Sequence, residues 1–202
     1  NTAYYVSANY LKNTGVDNAS FMKRYNVRTN VDSKVNDWMS FGINQNIVYT
    51  DRNSNGYTSQ GSNNMRSYST ASYIFPSYWD PYYEGYPEEH MIWGMENYDT
   101  KWLAGMQPKK TNDLIYNGSA FIQLNPIKGL TIKSQLGLYA TNTKYTYTML
   151  PGFPGEEAGQ RYISDSRSAQ WTITNTAEYK FTVNDIHELT FLVGQEGIRY
   201  ND

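Results

Sequence analysis

Ten of the thirty residues from Tyr73 to Trp102 are aromatic: Tyr73, Phe75, Tyr78, Trp79, Tyr82, Tyr83, Tyr86, Trp93, Tyr98 and Trp102. Flat rings stack on sugar faces or grip peptide side chains at little entropy cost, and the interleaved Asp80, Glu84 and Asp99 can accept hydroxyl or amide hydrogen bonds. The residues best suited to hold a ligand are therefore Tyr78, Trp79, Asp80, Tyr82, Tyr83, Tyr86, Trp93 and Trp102. Two other uses fit the same rings: docking beneath a partner that covers the segment, or packing the segment on itself.

Covalent chemistry has less to stand on. His90 lies beside Glu88 and Glu89, but the other histidine, His187, stands far along the chain and no H-x-x-x-H spacing exists. The plainer reading is a solvated acidic loop rather than a metal centre. Gly152, Gly155 and Gly159 in GFPGEEAG lack a following helix with a phosphate-contacting lysine. Stiffened by Pro151 and Pro154, they read as turn residues. Glu84 with Glu88, and Glu96 with Asp99, imitate a glycosidase pair, yet nothing in the sequence fixes their separation. The expectation is a non-enzyme with no cofactor and no metal. Zero cysteines remove disulfide scaffolds and zinc ribbons, and a net charge of -2 lacks the basic footprint of a nucleic-acid binder.

A second polar set, Arg24, Arg28, Asp32, Lys133, Glu178 and Lys180, is ordered by the elements that carry it. Residues 21–32, FMKRYNVRTNVD, put Phe21, Tyr25, Val27, Thr29 and Val31 on one side of a strand. Arg24, Asn26, Arg28, Asn30 and Asp32 fall on the other. The same alternation predicts strands at about 2–12, 38–50, 116–125, 130–141, 171–181 and 187–200, with Gln45 interrupting the apolar side of the third. That makes seven strands, with no helical period. The mean hydropathy of -0.70 and the lack of a run of about 18 apolar residues exclude a transmembrane helix but not barrel strands, which hide only every second residue.

A sheet in water buries its apolar face in a core, whereas a transmembrane barrel turns that face to lipid and its charged face to a wet lumen. In a barrel the six charged residues line the solute path, hold a plug by ion pairs, or simply solvate the wall. Connection lengths favour the barrel. Short connections at 33–37, 126–129 and 182–186 alternate with longer ones at 13–20, about 51–112 and about 143–168. Outer-membrane barrels keep periplasmic turns short and extracellular loops long. With 20 tyrosines in 202 residues, Tyr4, Tyr10, Tyr49, Trp38 and Tyr179 fall near strand ends, where interfacial girdles belong. Bacterial barrels close with even strand numbers, so seven strands are expected to be part of a larger one. The surviving alternative is a soluble all-β carbohydrate-binding module or adhesin, whose apolar faces would meet in a sandwich.

YYVSANYLKNTGV, SFMKRYNVRTNVDSKVNDWMSFGINQNIVYT, LNPIKGLTIKSQLGLY and HELTFLVGQEG together resemble the middle of the barrel of SusC/RagA-type TonB-dependent transporters. The matching motifs are Tyr4 to Ser7, Lys23 to Asn26, Asp32 to Val35, Pro126 to Leu130 and Gly194 to Glu196, with no match in the 51–112 segment. The resemblance implies that residues 1–202 are an antiparallel up-and-down piece of a 22-stranded class barrel, with 51–112 a long extracellular loop. It further implies a bacterial outer-membrane importer of glycans or peptides, a SusD-like surface lipoprotein as lid, and energy from the TonB complex. The plug domain and the TonB-contacting segment would lie outside this chain.

Overall fold

The computed structural model describes residues 1–15, 20–53, 91–92, 97–98, 105–152, 158–184 and 186–202. All seven expected strands are present. In chain order the elements are β1 (Thr2–Thr14), β2 (Phe21–Lys34), β3 (Met39–Asn53), β4 (Met91–Ile92), β5 (Asn97–Tyr98), β6 (Lys109–Leu124), β7 (Leu130–Met149), β8 (Gln160–Val183) and β9 (His187–Asn201). The long strands form one antiparallel meander, β1-β2-β3-β6-β7-β8-β9, and β4 pairs with β5 separately. β1 pairs only with β2 and β9 only with β8, so the sheet is open within the described residues.

The register puts the two residue classes on opposite faces. Val31, Ile43, Ala120, Leu136 and Ile173 stand in one row across five strands. Arg28, Asn46, Asn117, Tyr139 and Gln170 form a row on the other face. One residue of slip would exchange the faces, so the apolar pattern itself fixes the register. Followed from β1 to β9, the apolar stretch slides along the strands: it spans Tyr4–Tyr10 in β1 but Leu189–Val193 in β9, whose Val193 shares a row with Met39 and Leu124. Strands crossing an apolar slab at a tilt produce this drift.

Aromatic rings mark both margins of the apolar stretch. Toward the long connections, Tyr10, Tyr25 and Tyr49 stand side by side, with centroids 5.0 Å and 6.2 Å apart. Asn112 Nδ2 donates to the Tyr49 hydroxyl at 3.0 Å, so this ring lies on the apolar side while its tip reaches the polar row beyond. Toward the short turns, Phe181 lies 5.4 Å from Tyr179 and 5.8 Å from Phe191. A few polar side chains interrupt the apolar face. Two of them satisfy each other, with Asn175 Nδ2 donating to Gln195 Oε1 at 3.4 Å.

Short connections join β2 to β3, β6 to β7 and β8 to β9 at one end of the sheet; the longer ones gather at the other. Gly129 holds the β6–β7 turn with φ +86°, its carbonyl accepting from Lys180 N at 2.8 Å. Asn184 supplies the left-handed residue of the β8–β9 turn, with φ 54°. Strand bounds correct the expected connections. β3 runs on to Asn53 and β6 starts at Lys109, which narrows the 51–112 connection to 54–108. The span 143–168, expected as a loop, is mostly ladder: Thr143 pairs with Ser166 and Met149 with Gln160, leaving only 150–159 as the connection. There the outward row is mostly polar, with Lys144, Arg161, Asp165 and Arg167, and the ladder continues past the end of the apolar alternation.

Candidate functional site

The polar face is lined by amides. Asn26, Asn30, Asn44, Asn46 and Asn117, with Ser7, Ser119, Tyr5 and Arg28, surround an open hollow of about 500 Å³ formed by β1, β2, β3 and β6. Alternation places them there: each sits one residue from a belt side chain such as Val27, Ile43 or Tyr116. Arg28 Nε donates to Asn30 Oδ1 at 3.4 Å. Such a surface can exchange hydrogen bonds with peptide groups, hydroxyls or a packed protein segment. It has neither a nucleophile–base pair nor a paired-carboxylate geometry.

All six charged residues singled out by spacing share this face, in separate neighbourhoods. Arg28 borders the hollow. Arg24 stands in the row of Thr50 and Asp113, nearer the long connections. Asp32 pairs across to Gly42 and thence to Phe121. A Cβ at Gly42 would run into both the Asp32 carboxylate and the Phe121 ring, so glycine lets the ring lie there, and Lys133 Nζ sits 4.5 Å above its centroid. Glu178 and Lys180 form an ion pair at 2.8 Å near the short turns. The six therefore make no single centre.

One cluster is not apparent from apolar alternation, because its residues lie in spans expected as loop. Beyond the apolar stretch, Lys109 pairs across to Tyr147, and Tyr147 to Tyr162, all on the polar face. Lys109 is buried and holds its Nζ 4.8 Å from the Tyr147 ring centroid. Burial pushes its ammonium pKa below the ordinary lysine value. Tyr145 faces Tyr162 with centroids 6.2 Å apart. The signal was present: Lys144 to Met149, KYTYTM, alternates ring with hydroxyl as a strand wet on both sides does.

The expected recognition residues Tyr78, Trp79, Asp80, Tyr82, Tyr83, Tyr86, Trp93 and Trp102 lie outside the described residues, as do His90, Glu84, Glu88, Glu89, Glu96 and Asp99. Of that segment, Met91–Ile92 pairs with Asn97–Tyr98 as a short hairpin. His187 sits at the start of β9 opposite Val183, and the described residues contain no group of three or more potential metal ligands. Gly152 and Gly159 adopt positive φ, at +86° and +74°, as turn residues do.

No family model matches the chain. A TonB-dependent receptor, P26 of Formosa agariphila, is 27% identical over 206 residues, covering 96% of this chain and 19% of that protein. Among solved structures, the RagAB peptide importer in its "closed-closed" state and the RagAB peptide transporter each share 30% identity, over 98% of this chain and 23% of theirs, with TM-scores of 0.81 and 0.82. The "open-open" state of the importer aligns at 31% identity and TM-score 0.81, over 98% and 22%. The resemblance to SusC/RagA-type TonB-dependent transporters holds. The seven long strands match a stretch of a SusC/RagA-type barrel wall across almost the whole chain, and this chain spans about a fifth of the length of the proteins it matches.

Proposed function

We propose that this chain is part of the wall of a TonB-dependent importer in a bacterial outer membrane, taking up glycans or oligopeptides without chemical change. A two-faced sheet whose apolar side has no covering layer carries the reading. Among the described residues Val48 is the one buried apolar side chain, and it lies on the polar face, whereas Tyr4, Phe191 and Val193 stand 82%, 62% and 69% exposed. A sandwich would bury such residues against a second sheet; a bilayer covers them with acyl chains. The soluble module or adhesin is disfavoured on that ground, and recovery of the complete protein without detergent would revive it.

In this reading Arg24, Arg28, Asp32, Lys133, Glu178 and Lys180 face the lumen, where contact with a plug domain suits their scattered placement better than a substrate site. A SusD-like lipoprotein covers the outer mouth, and TonB acts through segments outside this chain. The long connections face the medium and the short turns the periplasm. Cysteines replacing Glu84 and Lys128 test this sidedness. A membrane-impermeant maleimide on intact cells should modify position 84 and spare position 128; the opposite pattern overturns the topology.

The aromatic segment 73–102 is the proposed recognition surface for the substrate or for the lid. Alanine at Trp79, Tyr82, Tyr83 and Tyr86 should each weaken substrate binding by about 1 kcal/mol or more if the rings grip substrate. Assembly of the barrel should be unaffected. If the rings meet the lid, the same changes loosen the lipoprotein complex instead. Wild-type uptake and wild-type lid association in the fourfold variant would reduce the segment to internal packing.

A further inference from the structure

Among the described residues, six cations lie on the apolar side of the sheet in or beyond the row of Tyr10, Tyr25 and Tyr49, toward the long connections: Lys12, Lys23, Lys110, Lys144, Arg161 and Arg167. On that side of the same zone the described residues supply two carboxylates, Asp51 and Asp165. This local excess of positive charge stands in a chain whose net charge is -2. Asp51 is already engaged by Lys110 at 3.6 Å and by Asn112 at 3.0 Å, and Asp165 by Arg167 at 3.4 Å. Lys12 and Lys23 are directly paired across the β1–β2 ladder, an arrangement of like charges that costs stability unless an anion bridges them. Directly beside Arg167, the apolar face dips into a hollow of about 360 Å³ lined by Leu114, Tyr116, Ala140 and Ala169, with Asn142, Asn201 and the carboxylate of Asp202 at its border. Small residues at the two alanine positions make room where neighbouring rows carry larger side chains such as Leu138 and Trp171.

Cations in a row immediately above an apolar hollow, on the face turned toward lipid, are complementary to one kind of molecule. We propose that this outer rim holds anionic lipids of the outer leaflet at two separate places, one phosphorylated headgroup on Lys12–Lys23 and another on Lys144–Arg167 with an acyl chain in the hollow beneath Arg167. The inference rests on the barrel reading, in which the apolar face meets the bilayer. Phosphate bound at Lys12 and Lys23 neutralises their opposed ammonium groups, and the chain in the hollow packs against Leu114 and Tyr116.

The test uses the complete transporter in detergent, with monophosphoryl lipid A as probe and phosphatidylcholine as the lipid without net charge, both followed by native mass spectrometry. Monophosphoryl lipid A should be retained and phosphatidylcholine lost. Combining Lys12→Gln with Lys23→Gln, or Lys144→Gln with Arg167→Gln, should weaken retention by about tenfold or more per pair. Arginine at Lys12, Lys23 and Lys144 should preserve it, which separates loss of charge from loss of fold. Glutamine at Lys34, the last residue of β2, and at Lys128, in the β6–β7 turn, removes equal charge at the opposite end of the sheet and should change nothing. Wild-type retention in both glutamine pairs, or an equal loss in the turn control, overturns the proposal. In a complete transporter freed of any other cysteine, a nitroxide on Leu136→Cys reads the underlying face independently. Oxygen accessibility typical of lipid there, with unchanged lipid A retention in the pairs, sinks this inference alone; accessibility typical of water sinks it together with the barrel reading.

Discussion

Arginine in place of Ile43 is expected to destabilise the assembled barrel by about 2–4 kcal/mol, while arginine at the next residue, Asn44, should change stability by less than about 0.5 kcal/mol. Ile43 lies midway along the apolar stretch of β3, between Tyr49 and Met39, and in one row with Val31, Ala120, Leu136 and Ile173. A guanidinium there has hydrocarbon on every side and is too deep to reach the tyrosine margin without distorting the strand. Asn44 points into the amide-lined hollow, where a cation is solvated. Denaturant unfolding from lipid vesicles, followed by heat-modifiable mobility, compares the two. Equal midpoints would mean that the faces have been assigned the wrong way round or that neither meets lipid.

Valine at Gly129 is the second large expected effect, a loss of roughly 2–3 kcal/mol with slower assembly. Two costs coincide at this turn. The backbone sits at φ +86°, which a β-branched residue resists, and an added Cβ would strike the carbonyl oxygen of Lys180. Relieving that clash pulls the turn from β8 and breaks the hydrogen bond from Lys180 N to the Gly129 carbonyl. Gly152 separates the two costs, for it shares φ +86° but its Cβ would meet nothing within 4 Å. Alanine at Gly152 should therefore lose only about 1 kcal/mol, the backbone part alone. If valine at 129 and alanine at 152 cost the same, the clash with β8 is not what makes glycine necessary at 129.

What could be read from the sequence ended where lipid-side patterning ends. FMKRYNVRTNVD discloses β2 because Val27 and Val31 need one environment and Arg28 and Asp32 another, and the pairing register then followed. In 143–149 and 160–168 the outward-facing residues are Lys144, Thr146, Thr148, Arg161, Asp165 and Arg167, with Ile163 the one apolar member, so both sides of the strand are largely polar and hydropathy no longer alternates. What remains there is a weaker signal, the β-preference of tyrosine and threonine in KYTYTM, and the Lys109–Tyr147–Tyr162 cluster was missed with it. The shared face of Arg24, Arg28, Asp32, Lys133, Glu178 and Lys180 was legible from parity alone. Their neighbourhoods were not, because whether Glu178 reaches Lys180 or Lys133 covers Phe121 depends on rotamers and cross-strand partners that spacing does not encode.

The 54–108 connection also dictates an order of events. Every other neighbouring pair of long strands is joined by a link of at most ten residues, so the β1–β2–β3 and β6–β7–β8–β9 meanders can each zip from local contacts. Pairing β3 with β6 must instead close a connection about ten times longer than the turns, at an added entropic cost of roughly 2 kcal/mol. The seam from Met39↔Leu124 to Asn53↔Lys110 is then the last of these ladders to form and the first to part. Force applied across the wall would open it there, between two blocks that each remain zipped.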